Sequence, residues 1–235
     1  MKDPPPKAAG AASTVGPLAF LGAAILVTTL NLIPHGETVL YPLAIFTTWV
    51  HETAHALAAT VLGARVDGLL VRPDTSGLAT YWYVVGDFGT TSRAITASAG
   101  YLGAALAAAA FLAAARRPGL HRIVLGVVAA GLVVTTALWV RTGFGVTMLL
   151  VLAATAGGIA AKGPPPVVRW ALLLLALQTG LNAVLDIRAL YYVDGPSDAR
   201  TMSQVVGLPA AFWATLWLAI GAAVLARGFL KALRG

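Results

Sequence analysis

TTWVHETAHALAAT, Thr47 to Thr60, sets two histidines and a glutamate inside a stretch that otherwise reads as apolar helix. The cost of ionisable side chains inside an apolar span, on the order of 3 kcal/mol each, makes them a functional signal by default. His51, Glu52 and His55 form H-E-x-x-H. Residues four apart share a helix face, so both imidazoles can reach one metal ion while Glu52 stands beside them, in reach of a metal-bound water. Zinc makes such a water acidic near neutral pH; Glu52 as general base takes its proton and returns it to the leaving amine. With four histidines and two glutamates in the chain, random placement produces this pattern with odds of roughly one in a thousand or less.

The surroundings of that helix decide the fold class. The chain has 235 residues, 58% of them hydrophobic and 11% charged, with a mean hydropathy of +0.82. Those values lie outside the range of soluble globular domains. Apolar runs near the ~20 residues that cross a bilayer recur between short clusters of Arg, Lys, Gly and Pro. We read an α-helical polytopic membrane protein with about seven transmembrane helices: Val15–Ile33, Val39–Gly63, Ser92–Ala115, Leu120–Val140, Thr142–Ala161, Val167–Leu190 and Leu208–Ala226. The weakest division is the fourth from the fifth, marked only by Arg141, Thr142 and Gly143.

Residues 1–14 are Pro-rich without apolar periodicity and are expected to be a disordered tail. Residues 15–235 are expected to form one integral membrane domain. The net charge of +7 is spread over span ends rather than gathered in one patch, which argues for membrane topology and against nucleic acid. Arg116 to Arg122, Lys162 with Arg169, and Arg227, Lys231 and Arg234 share one face, expected to be cytoplasmic; Arg65, Arg72 and Arg93 stand against that orientation. With no cysteine, a metal must be held by His, Asp or Glu.

Residues 65–91 differ from the rest. β-Formers alternate around the turn signal PDTSG, and Val66–Val71 and Leu78–Val85 predict a small β-hairpin at the membrane boundary, between the second and third spans. Tyr81, Trp82 and Tyr83 fit an interfacial aromatic belt; equally, the strand edge could add an unfolded peptide. In the third span, the small residues Ser98, Gly100, Gly103, Ala104 and Ala107 allow a close helix neighbour.

A catalytic zinc takes three protein ligands and keeps a fourth position for water. Apart from Glu52, the acidic residue well inside an apolar run is Asp186, in LQTGLNAVLDIRAL; Asp67, Asp74, Asp87, Asp194 and Asp198 read as loop residues. At 1.5 Å per residue, His55 is about 24 Å along the second span and Asp186 about 28 Å along the sixth. The two spans run parallel if three others separate them, so the one-zinc set His51, His55 and Asp186 would lie at one depth. Asp186 could instead cap a helix end or pair with Arg188. Gln178, Asn182 and Asp186 form one polar stripe. Gln178 suits interhelical hydrogen bonding, and Asn182 suits orienting Asp186 or binding a substrate carbonyl.

With H-E-x-x-H in an apolar helix, a hairpin after it, a small-residue span and an intramembrane Asp downstream, the chain resembles the site-2 protease family, most of all its compact bacterial branch. The resemblance runs from about Leu40 to Tyr191. It implies a multi-pass protein of the bacterial cell membrane that cuts transmembrane proteins or peptides within the lipid bilayer, with Glu52 catalytic and Asp186 in the position of the family's aspartate. Two strings depart from the family pattern. Ile187 stands where Leu-Asp-Gly has Gly, and Tyr101 follows Gly100 where Gly-Pro is common. A scaffold or chaperone retaining a zinc site, or a metal or proton transporter, are the competing functions. Intact Glu52 argues against the first, and polar residues gathered at one depth argue against the second.

Overall fold

A computed structural model describes residues 17–84, 86, 88–189 and 195–233. The expected tail 1–14 lies outside the described residues, as do Val15, Val85, Asp87, Leu190, Asp194, Arg234 and the side chain of Arg188. Helices are α1 (Pro17–Leu32), α2 (Gly36–Val61), α3 (Thr90–Ala115), α4 (His121–Trp139), α5 (Gly143–Lys162), α6 (Pro165–Ala189), α7 (Asp198–Val206) and α8 (Ala210–Leu233); strands β1 (Arg65–Val71) and β2 (Gly77–Trp82) lie between α2 and α3.

Each expected span corresponds to a helix, but they are not seven equivalent crossings. Among the described residues, five helices are individually long and apolar enough to cross a membrane: α3, α4 with the short turn before it, α5, α6 and α8. α1 and α2 pass that test only as a pair, bent by 108° at their junction, where His35 takes a left-handed φ of 63°. Counting the pair as one broken span makes six. The reason is visible in α2 itself, where His51, Glu52, His55 and several threonines dilute the apolar content that a free-standing span needs. The doubtful division at 140–142 is real. Val140 and Thr142 are extended, and the Thr142 hydroxyl caps α5 by accepting from Gly145 N–H.

α2, α3 and α6 make the inner layer. α3 packs against α2, α6, α7 and α8, and the core includes Phe46, Trp49, Ala104, Phe111, Leu172 and Ala176. Gly103 faces Ala54 so closely that a Cβ there would stand 2.6 Å from the Ala54 methyl, so the small residues of α3 do bring it against α2. α4 and α5 form an outer pair, with only 28% and 22% of their apolar windows buried against 50% for α3 and α6. Surface left apolar on helices of this length suits lipid contact.

The hairpin is antiparallel, with Leu69 opposite Ala79 and a bulge between Val66 and Gly68. At its turn, Asp74 accepts from the Ser76 hydroxyl at 2.7 Å and the Ser76 N–H at 3.0 Å; these bonds hold its carboxyl below the usual range. Two α2 side chains clip the turn down. Tyr41 donates to Pro73 O at 2.7 Å and Thr48 to Thr75 O at 2.6 Å. The outer edge of β1 is closed by a bridge from Leu69 to Val140 and by Arg141 N–H donating to Leu69 O at 3.1 Å. The outer edge of β2 pairs with no strand among the described residues.

Candidate metal centre

On α2, the i, i+4 spacing brings His51 and His55 together with their Nε2 atoms 3.0 Å apart. The third corner is Asp198, whose Oδ2 is 3.2 Å from each histidine Nε2. Ligand atoms around a tetrahedral zinc, with bonds of about 2.0–2.2 Å, stand roughly 3.3 Å apart, so one ion suits this triangle. Two nitrogens and a carboxylate oxygen are also a donor set that zinc accepts. His55 Nδ1 lies 2.7 Å from Thr96 O. A carbonyl only accepts, so Nδ1 carries a hydrogen, which in the neutral imidazole leaves the Nε2 lone pair facing the triangle.

Asp198 is a correction to the sequence reading, which left it in a loop. It begins α7, a nine-residue helix that Ser197 caps by accepting from Arg200 N–H at 3.3 Å. Ala199 and Met202 sink into an apolar cluster with Ala97, Tyr101, Ile187, Ala214 and Trp217. That contact swings the first turn of α7 over the histidines. Asp186, expected as the third ligand, lines the same cavity from α6 and is exposed to it. It is not among the three groups whose ligand atoms lie within 4.8 Å of one another. A ligand at membrane depth is expected on a long apolar run, and α7, nine residues long, is not one. The readable signal was the Ser197 cap followed by apolar Ala199 and Met202 three apart, a small amphipathic helix.

Close approach of backbone builds the walls. A Cβ at Gly100 would stand 2.4 Å from both histidine Nε2 atoms, so α3 can pass the triangle only with glycine there. A Cβ at Gly77 would lie 2.6 Å from Glu52 Cγ and 2.7 Å from its Oε1, which places the first residue of β2 directly on the glutamate. Glu52 is buried, and the Ala79 N–H donates to its carboxylate. In this register 72 and 76 bond across the hairpin. The alternation of an antiparallel pair then turns the N–H groups of 77 and 79 toward the outer edge, where Glu52 sits. The cavity they enclose has a volume of about 590 Å³ and is lined by His51, Glu52, His55, Tyr101, Asn182, Asp186 and Asp198, with the turn and β2 forming one wall.

The polar stripe of α6 divides its work. Gln178 is 1% exposed and exchanges hydrogen bonds with Asn31 of α1 at 3.1 and 3.2 Å, the interhelical role expected of it. It also donates to Asn182 Oδ1 at 2.7 Å, and Asn182 donates to Thr47 Oγ1 at 2.8 Å. This chain ties α1, α6 and α2 beside the cavity. Asn182 makes no hydrogen bond to Asp186 among the described residues.

No curated protein and no solved structure matches the chain. The Peptidase M50B-like family model matches residues 21–228, and the chain therefore belongs to that site-2 protease family.

Proposed function

We propose that this membrane protein is an intramembrane zinc metalloendopeptidase in which His51, His55 and Asp198 hold one zinc ion and Glu52 is the general base. The observation that carries the reading is the convergence of three ligand atoms within 4.8 Å beside a buried glutamate, in one cavity. Zinc held there would polarise a carbonyl and acidify a water. The chain's own residues do the rest. Glu52 takes the proton of the attacking water and delivers it to the amine as the C–N bond breaks. The Ala79 N–H holds its carboxylate in place for both transfers, and the absence of a side chain at Gly77 leaves room for it.

The substrate is a transmembrane protein or peptide, unwound at the scissile bond. An extended segment entering along the cavity wall made by the turn and β2 would pass Glu52 and the ligand triangle with its side chains projecting alternately. Asn182, lining the cavity from α6, retains an amide hydrogen beyond the one given to Thr47, and can bind a substrate carbonyl.

Glu52→Gln tests the assignment. Zinc content of the purified protein should match wild type, and cleavage of a panel of membrane-embedded peptides should fall by at least 1000-fold. Cleavage that survives in Glu52→Gln would sink the peptidase mechanism, and loss of zinc would make Glu52 a ligand instead.

A further inference from the structure

The two departures from the family pattern, Tyr101 and Ile187, meet in the same apolar cluster, 8% and 2% exposed. Ile187 has packing to do there. Tyr101 has a hydroxyl that packing does not explain. Its ring stacks on Trp217 at 5.4 Å between centroids and meets the His51 ring edge-on at 4.6 Å. It is thus clamped between a buried indole and a proposed ligand. The residue lines the cavity, and its hydroxyl makes no hydrogen bond among the described residues and is not one of the fully buried atoms. The charged groups acting on it are Asp198, Asp186 and Glu52, which are the carboxylates of the site.

Asn182 keeps one amide hydrogen beside the cavity, but other neighbouring donors are committed. Thr47 and Thr48 donate to Ala44 O and Thr75 O, and Ala79 N–H serves Glu52. A phenol ordinarily ionises at about pH 10, so at neutral pH it can donate a hydrogen bond. A donor fixed in place before reaction, in a site shielded from bulk water, stabilises developing negative charge most effectively.

We propose that the Tyr101 hydroxyl donates a hydrogen bond to the scissile carbonyl oxygen as that oxygen gains negative charge. This rests on the peptidase reading above. No proton leaves the phenol: water oxygen bonds to the carbonyl carbon, the C–N bond breaks, and Glu52 carries the proton to the amine.

The test compares wild type, Tyr101→Phe and Tyr101→Leu in lipid nanodiscs, measuring zinc content and the binding of a peptidyl phosphinate, a tetrahedral anion that needs no turnover. The same peptide with an intact amide is bound in a Glu52→Gln background with and without Tyr101→Phe. Tyr101→Phe keeps both ring contacts. It should therefore retain zinc and amide-peptide affinity while phosphinate affinity and kcat fall about 100-fold with KM unchanged. Tyr101→Leu should lose zinc affinity as well, because the ring supports His51. Phosphinate affinity within twofold of wild type in Tyr101→Phe overturns the proposal, as does zinc loss in that variant, which would make the hydroxyl a structural support. If Glu52→Gln leaves cleavage unaltered, the peptidase reading fails by itself, and the phosphinate comparison still reports on the hydroxyl.

Discussion

The histidine pair and Asp198 reach the same point by opposite routes. His51 and His55 sit in the middle of a 26-residue helix whose flanks are held by Phe46 and Trp49 in the core, and by Trp49 donating to Thr135 of α4 at 2.8 Å. Their relation to each other is a property of helix geometry. Asp198 opens a nine-residue helix held by one cap and by a small apolar cluster. Helices this short have little stability of their own. One part of the site is therefore intrinsic to a single element, and the other exists only while α7 is docked.

Single substitutions can break this contrast. The largest effects should follow loss of a ligand. His55→Ala and Asp198→Ala should each weaken zinc binding by 100-fold or more in competition with a chromogenic chelator, whereas Asp186→Ala should stay within threefold. An equal loss in Asp186→Ala would restore it to the ligand set and move Asp198 out.

Next come the two close glycines, which separate metal from base. Gly100→Ala drives a methyl against both ligand nitrogens, 2.4 Å away, and should lower zinc content of the purified protein to less than a tenth. Gly77→Ala pushes Glu52, and should cut cleavage more than 10-fold while zinc content stays whole.

Smaller is the effect on α7. Ser197→Ala removes a cap worth about 1 kcal/mol, and because docking α7 places Asp198, zinc affinity should fall about fivefold. A comparable cap change on a long helix, Thr142→Ala on α5, should leave zinc binding unaltered. The smallest effect on the metal belongs to Gln178→Leu. Losing its bonds to Asn31 and Asn182 should destabilise the fold by about 1 kcal/mol in a thermal-unfolding assay, with zinc affinity unchanged.

Much of the fold could be read directly. Apolar run length located α3, α4, α5, α6 and α8, because covering a bilayer imposes a minimum length on each. PDTSG located the hairpin, because the turn needs Asp74 to bond Ser76 locally. What length could not show was the 108° bend that joins α1 and α2. Nor could it show α7, which is too short to register as a span.

His51, Glu52 and His55 were determined by the sequence alone, since one turn of helix puts them together whatever the rest of the chain does. The third corner of the triangle was a matter of tertiary structure. Asp186 and Asp198 are both carboxylates on helices beside the same cavity, and no local pattern ranks one above the other. The packing of Ala199 and Met202 against Tyr101, Ile187 and Trp217 does so, because it carries α7 inward until Asp198 meets both imidazoles.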